Sequence, residues 1–330
     1  MMLCFVTENK ACTNIRQFHQ KREGLFVLQH NESHLRKCDN RAIRTDRELT
    51  TENGGVDVKL TAIMDNHRSE QKALTAEHGL SFLLDTGTTK ILFDFGAGRA
   101  AYDNVVKLNV DLKSIDYAVG SHGHYDHGGG YPDFFASGLN CPLITGEGYF
   151  EEKYAFDGMK ATYLGCSFDE RWLEERRIDH RICREMMKLE DDCYVVGGFQ
   201  RTHDFETIPE RFVLRDQEGW KQDDFSDEVC LVLTRPEGLV VIVGCSHPGI
   251  LNILKSVQAR FHRPVYAVFG GTHLVEADQS RIEKTLDEMK AMGVRLIGFN
   301  HCSGELLQEM LDARLDIRHC YLGAGDCMFL

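Results

Sequence analysis

Beyond about residue 56 the chain alternates between short apolar runs and segments whose apolar residues recur at helical spacing. Alternating apolar and polar positions over 56–64 predict a strand, and apolar runs at 80–84 and 90–95 around the turn residues 85–89 predict a hairpin. Further apolar runs predict strands at 115–119, 142–145, 194–199, 228–233, 239–244, 264–269 and 294–299. Helical spacing predicts helices at 99–112, 131–137, 249–261 and 278–292, with a charged helix at 169–177. Because strands and helices alternate, we expect an α/β protein.

The first 55 residues have a different character. They combine Lys, Arg, Asn, Gln and Thr with few apolar residues, and their one candidate strand is 24–28. A segment of this composition buries too little apolar surface to fold by itself. We therefore expect a weakly ordered N-terminal extension at 1–55 and one large domain over 56–330.

Composition and charge narrow the classes of function. The formal net charge is −13 over 330 residues, which argues against nucleic acid as a partner because phosphate backbones need a basic surface. No apolar run approaches the ~20 residues that span a bilayer, so we expect no membrane partner and a cytoplasmic location. The 12 cysteines include no Cys-x-x-Cys pair, which favours reduced thiols. We expect a small-molecule substrate, and the oligomeric state stays open.

A histidine-rich segment follows the predicted strand at 115–119. Residues 120–130 contain His122, His124, Asp126 and His127 between glycines. In an extended segment alternate side chains face the same way, so His122 and His124 can converge on one metal ion while Asp126 and His127 turn toward a second. Imidazole and carboxylate ligands suit zinc and its first-row neighbours. The segment therefore predicts a dinuclear metal site.

This segment carries a resemblance to a known family. His122-Gly123-His124-Tyr125-Asp126-His127 matches the His-x-His-x-Asp-His signature of the metallo-β-lactamase superfamily. Within it, the chain from about residue 56 to 330 resembles the dihydropteroate-synthase-like branch, which includes 7,8-dihydropterin-6-methyl-4-(ribofuranosyl)aminobenzene-5'-phosphate synthases. The stretches that carry this closer match are 76–81, 91–94, 244–247, 270–274 and 301–304.

The resemblance implies a four-layer αββα sandwich that binds two divalent cations. Zinc is the expected metal, and Mn²⁺ or Fe²⁺ are the alternatives. We expect one cation to be held by His122, His124 and His247, and the other by Asp126, His127 and His301. The resemblance places Asp94 beneath the site, where a carboxylate orients a metal-bound histidine. It also implies that 146–225 is an insertion over the active site.

The sequence departs from the superfamily pattern in two places. A Pro-Gly-His stretch, which supplies a histidine ligand, is replaced by 223–227, and the position of a bridging aspartate reads Gly244-Cys245. Either Cys245 joins the metal shell as a thiolate, or water alone forms the bridge and His247 fills the vacancy. His273 is a further candidate for contact with metal or substrate.

The resemblance implies hydrolysis of an ester, lactone or phosphoester bond by a metal-activated hydroxide. Asp126 would orient this nucleophile and carry a proton to the leaving group. The branch also implies an alternative, a transferase acting on a pterin or an aryl phosphate. Two more alternatives are a binding or regulatory module without turnover and a di-iron oxidoreductase, although the flavodiiron relatives carry a glutamate where His124 stands.

Overall fold

Two β-sheets of seven strands each form the centre of the fold. The computed structural model describes residues 58–330, so the predicted extension at 1–55 and its candidate strand at 24–28 lie outside the described residues. In chain order the strands are β1 (Lys59–Met64), β2 (Ser81–Asp85), β3 (Lys90–Phe93), β4 (Tyr117–Val119), β5 (Leu143–Thr145), β6 (Glu152–Phe156), β7 (Ala161–Tyr163), β8 (His180–Ile182), β9 (Met186–Glu190), β10 (Cys193–Val196), β11 (Phe212–Asp216), β12 (Gly219–Gln222), β13 (Cys230–Arg235), β14 (Gly238–Val243), β15 (Val265–Gly270), β16 (Leu296–Phe299), β17 (Arg318–Tyr321) and β18 (Cys327–Phe329).

The first sheet has the order β18-β1-β2-β3-β4-β5-β8, and the second has the order β17-β16-β15-β14-β13-β10-β9. A third, four-stranded sheet has the order β12-β11-β6-β7. The helices are α1 (Arg99–Lys107), α2 (Tyr125–Gly128), α3 (Tyr131–Ala136), α4 (Glu170–Glu175), α5 (Ile250–Phe261), α6 (Gln279–Ala291) and α7 (Glu305–Asp312). None of the helices in the described part of the chain combines the length and the apolar character needed to cross a membrane.

Three apolar cores separate four layers. Phe82 of the first sheet and Ile242 of the second belong to the core between the two sheets. Helices α1 and α3 cover the outer face of the first sheet through residues such as Val105 and Phe134. Helices α5, α6 and α7 cover the outer face of the second sheet. This arrangement confirms the predicted αββα sandwich.

Strand β14 shows how the sequence produces these layers. Its six residues Gly238–Val243 are all buried, as a strand covered on both faces requires. Successive side chains point to opposite faces, so Val240 and Ile242 enter the core between the sheets while Val241 packs beneath the outer helices. Burial on both faces explains why the segment reads as a continuous apolar run.

Parallel pairing brings several loops to one edge of the sandwich. Strand β3 is parallel to β4 in the first sheet, and β14, β15 and β16 are parallel neighbours in the second. Because parallel strands end at the same edge of a sheet, the segments that follow them lie close together. The predicted ligands come directly after these strand ends.

Some predicted elements differ from the structure. The predicted helix at 99–112 ends at Lys107, because Asn109 takes a left-handed conformation with φ of 56°. The small third sheet, α7, β17 and β18 were not predicted. The boundary of the proposed insertion at 146–225 stays a prediction; within it, β8 joins the first sheet and β9 and β10 join the second.

A buried carboxylate supports the start of α5. Glu206 accepts hydrogen bonds from the backbone N–H groups of Leu251 and Asn252, at 2.9 and 2.8 Å. We expect Glu206→Ala to lower the free energy of unfolding by about 1–3 kcal/mol, because two buried donors lose their acceptor. Urea unfolding measures the loss, and the exposed Glu210→Ala is the matched control. Equal stability of the two variants would contradict this account of the helix start.

Candidate metal centre

Backbone strain is concentrated at the edge where the predicted ligands lie. Eight non-glycine residues in the described chain have positive φ, and five of them lie in these loops. The five are Asp94, Phe225, Ser246, His273 and His301. Such conformations cost free energy and persist where the surrounding structure imposes them, most often at functional sites.

Three histidine rings form a compact triangle. The ring centroids of His122 and His124 are 4.7 Å apart, and that of His247 lies 4.9 Å from His122 and 5.0 Å from His124. One nitrogen from each ring lies within 4.8 Å of the others. The structure thus brings together the first predicted ligand set, although His247 is 123 residues from His124 in the sequence.

Four ring nitrogens of this triangle have no hydrogen-bond partner among the residues that the structure describes. Nε2 of His122, Nε2 of His124 and both ring nitrogens of His247 are buried without a hydrogen bond. Burial lowers the pKa of His124 to about 3 and holds the pKa values of His122 and His247 well below the ordinary value. The three rings are therefore neutral near pH 7, the form that binds metal. Unsatisfied neutral imidazoles at this spacing fit a cation.

A second group of ligand atoms lies beside the triangle. Nε2 of His127 lies 3.2 Å from Nε2 of His301, and Oδ2 of Asp126 lies 3.3 Å from His301 and 3.8 Å from His127. Ligand atoms bound tetrahedrally at 2.0–2.1 Å from zinc would be about 3.3 Å apart. The second predicted set therefore also has a spacing that a zinc ion fits.

The carboxylate of Asp126 is ionised. Burial works to raise its pKa, but nearby His127 and hydrogen bonds from His301 and His78 outweigh it and hold the pKa well below the ordinary value. Burial by itself would lower the pKa of His127. The negative charges of Asp94 and Asp126 outweigh burial, so the pKa of His127 is raised. The second group thus offers an anionic oxygen beside imidazoles, which favours a divalent cation.

Neighbouring polar groups fix the ring orientations. Oδ2 of Asp94 lies 2.6 Å from Nδ1 of His127, and Asp94 also accepts hydrogen bonds from the backbone and hydroxyl of Ser121. The Ser121 hydroxyl lies 2.9 Å from Nδ1 of His122, and Oδ1 of Asn66 lies 3.0 Å from Nδ1 of His301. Each contact uses Nδ1, so Nε2 of each ring is directed into the cluster.

Cys245 and His273 lie at the same edge. Sγ of Cys245 is 3.2 Å from Nε2 of His127, and it lies within 4.8 Å of ligand atoms of both His122 and His301. Cys245 therefore lies between the two groups. The ring of His273 is 4.2 Å from that of His247.

Sequence reasoning missed His78 as a site residue. Its Nε2 lies 3.0 Å from Oδ2 of Asp126, and its side chain is 59% exposed. Together with Asp126 and His301 it forms a further group of three potential ligands. The one signal was its position in the 76–81 stretch that carries the family resemblance.

The segment that replaces Pro-Gly-His also has contacts that the sequence did not reveal. Asp227 accepts a hydrogen bond from the backbone N–H of Gly123 at 2.8 Å. Glu228 accepts from the backbone N–H groups of Ser246 and of His247, the latter at 2.8 Å. These adjacent carboxylates therefore hold both loops that carry the histidine triangle. Lys153 donates to Asp227 and Asp223, each at 3.0 Å, and offsets part of their charge.

Gly123 has a steric reason to be glycine. A Cβ atom at this position would lie 1.8 Å from the backbone oxygen of Tyr149 and 3.1 Å from the Lys153 side chain. Real Cβ contacts are never this short, so any other residue would displace the segment between His122 and His124. The backbone must approach its neighbours closely for both imidazoles to reach the cluster.

Comparison with known proteins identifies the family. The family model described as the metallo-beta-lactamase superfamily matches residues 74–197. The solved structure of Tm1679, described as a metal-dependent hydrolase of the beta-lactamase superfamily, has a TM-score of 0.71 and 26% identity, covering 83% of this chain and 99% of that one. Together with the sandwich fold, these matches show a metallo-beta-lactamase superfamily domain in this chain.

Two relatives from Methanocaldococcus jannaschii are similar over most of their length. The 7,8-dihydropterin-6-methyl-4-(beta-D-ribofuranosyl)-aminobenzene-5'-phosphate synthase is 29% identical over 277 residues, which is 78% of this chain and 92% of that protein. An uncharacterised protein of the same organism is 28% identical over 243 residues, covering 73% and 89% of the two chains. The chain is thus related to a pterin-phosphate synthase within the superfamily.

Proposed function

We propose that this protein is a metal-dependent hydrolase that cleaves an ester, lactone or phosphoester bond at a dinuclear centre. The observation that carries the proposal is the pair of adjacent ligand groups, in one of which buried, neutral ring nitrogens have no hydrogen-bond partner in the described part of the chain. The proposed ligands are His122, His124 and His247 for one cation and Asp126, His127 and His301 for the other. Zinc suits this set of imidazole and carboxylate donors.

Divalent cations held by these residues would lower the pKa of water and polarise a carbonyl or phosphoryl oxygen. The protein contributes the geometry. Asp94, Ser121 and Asn66 fix the imidazoles, and the carboxylates of Asp227 and Glu228 hold the loops. A site whose ligands are positioned before substrate arrives needs little reorganisation during the reaction.

Asp126 is the proposed proton carrier. The carboxylate oxygen that does not bind the cation would accept a proton from the attacking water as the new oxygen bond to carbon or phosphorus forms. It would return the proton to the leaving oxygen as the scissile bond breaks. Nε2 of His78 lies 3.0 Å from Oδ2 of Asp126 on a side chain that reaches solvent, so it offers a route for proton exchange.

Substrate would enter from the side of His78 and Tyr125. The Tyr125 side chain is among the exposed large hydrophobic groups, and its ring centroid lies 6.4 Å from that of His78. The opposite side is closed, because the buried Phe225 ring stacks on His247 with centroids 3.9 Å apart. Phe212 adds a second aromatic wall against His247 and His273.

The test is a hydrolysis screen with metal analysis of the same samples. We expect zinc-loaded protein to turn over at least one of a phosphodiester, a lactone and a thioester. Asp126→Asn should reduce that rate by about 10²–10⁴-fold, because the isosteric amide does not accept the proton. Asp103→Asn, on the surface of α1, is the control and should keep the wild-type rate. Full metal loading without turnover of any substrate would overturn the hydrolase proposal.

A second candidate is a transferase, and the named relative supports it. The name of that synthase describes a product in which a dihydropterin is linked through its 6-methyl group to a ribofuranosyl-aminobenzene phosphate. A related reaction in this chain would use the amino group of an aryl phosphate in place of water. The exposed Tyr125 ring beside His78 offers an aromatic face that suits a ring-shaped substrate.

Mass spectrometry separates the two candidates. The protein is incubated with a dihydropterin that carries a leaving group on its 6-methyl carbon and with (ribofuranosyl)aminobenzene 5'-phosphate. Formation of the coupled product would favour the transferase. Loss of the leaving group to water, with no coupled product, would favour the hydrolase.

A further inference from the structure

Two cysteine sulfurs meet beside the second ligand group. Cys245 follows the end of β14, and Cys302 follows His301 after the end of β16. Sγ of Cys245, Sγ of Cys302 and a ring nitrogen of His301 all lie within 4.8 Å of one another. Both cysteines are free thiols. These two sulfurs and the imidazole nitrogen form a group of potential metal ligands that lies outside the His122–His127 motif.

The surroundings of these thiols differ from those of a core cysteine. A buried free cysteine usually packs as a small hydrophobic residue. Here Cys245 lies 3.2 Å from Nε2 of His127, and Cys302 directs its sulfur toward the backbone oxygen of Cys245 at 3.6 Å. Cys193 and Cys230, in contrast, lie in the apolar cores of the sandwich. Cys245 and Cys302 thus lie beside polar atoms rather than in an apolar core.

The backbone leaves space for the second sulfur. A Cβ atom on Gly271 would lie 2.6 Å from Sγ of Cys302 and 3.5 Å from Cα of Cys245. Any other residue at this position would push Cys302 out of the group. Gly271 follows β15, the strand between β14 and β16, so all three neighbouring strand ends contribute to the arrangement.

We propose that Cys245 and Cys302 are both thiolate ligands of the second cation, and that they make the centre selective for a borderline-soft metal such as zinc over the hard cations Mn²⁺ and Mg²⁺. This inference rests on the proposed metal centre and deepens it. Each thiol releases its proton to solvent when its sulfur binds. Sulfur donors select zinc and related metals, whereas oxygen donors suit magnesium and manganese.

Cobalt substitution tests the proposal directly, because Co²⁺ bound to thiolate absorbs in the near ultraviolet by sulfur-to-metal charge transfer and Co²⁺ bound only to nitrogen and oxygen does not. Full-length protein is loaded with Co²⁺ as wild type, Cys245→Ser, Cys302→Ser and the double variant. We expect the band to fall to about half in each single variant and to vanish in the double variant, as for one thiolate each. Cys327→Ser, at an exposed position on β18, is the control and should keep the full band.

Competition between metals supplies a second measurement. We expect Cys302→Ser to lower the preference for Zn²⁺ over Mn²⁺ by about tenfold or more, since a soft donor is replaced by a hard one. Melting of the metal-free variants shows whether they are folded. A full band in folded Cys302→Ser would remove Cys302 from the ligands, and a spectrum with no band in wild type would overturn the proposal for both cysteines. If wild type binds no cobalt at all, the metal centre itself fails, which is a distinguishable result.

Discussion

Replacing His122 and His124 together with alanine is expected to remove the cation of the first ligand group and to eliminate hydrolysis. The two rings supply two of the three nitrogens in the first ligand group, and both offer an unpartnered Nε2. A single remaining imidazole binds a divalent cation too weakly to retain it through purification. Elemental analysis and the hydrolysis rate, measured on the same preparation, check this result.

The control is His203→Ala, at a partly exposed histidine outside all four groups of potential ligands. It should keep wild-type metal content and rate. Circular dichroism shows whether the double variant retains the fold, since the truncations leave buried space. A folded double variant that still turned over substrate would contradict the assignment of the first ligand group.

Lys153→Met is expected to have the largest effect on stability. The ammonium of Lys153 is buried and lies 3.0 Å from the carboxylates of Asp223 and Asp227, which are also buried. Burial raises the pKa of Asp227 to about 6 even though the charge of Lys153 opposes this. Removing the cation leaves two buried carboxylates without a counterion, which costs about 3–5 kcal/mol. Urea unfolding of the metal-free protein measures the loss.

The same substitution should weaken metal binding. Asp227 accepts the backbone N–H of Gly123, which lies between His122 and His124, so a displaced carboxylate disturbs both ligands. Arg171→Met is the matched control, because it removes an exposed ion pair with Glu175 and should change stability by less than about 1 kcal/mol. Equal stability of Lys153→Met and wild type would show that this ion-pair group does not support the site.

Much of the fold could be predicted because its signals are local. The continuous apolar run at 239–244 identifies a strand buried on both faces, and the structure has β14 at Gly238–Val243. The third sheet gave no such signal. Its strands are short and partly exposed, and β6 pairs with β11 across more than 50 residues of sequence. Pairing over that distance depends on tertiary contacts rather than on local pattern.

The candidate site was predictable where a motif names its ligands. The segment from His122 to His127 could be interpreted by residue type and spacing alone. Asp227 and Glu228 could not, since in sequence they are charged residues in a turn-rich segment. Their partners, the N–H groups of Gly123 and His247, lie 104 and 19 residues away. His78 was missed for the same reason, because its contact with Asp126 arises only in the folded chain.

Anomalous diffraction from zinc-loaded crystals, recorded above and below the zinc absorption edge, tests the central claim most directly. Two zinc peaks are expected in each chain. One should lie among His122, His124 and His247, and the other among Asp126, His127 and His301. Zinc peaks confined to other parts of the protein would contradict the assignment of a dinuclear centre. So would zinc-loaded crystals with no anomalous peak at these two positions.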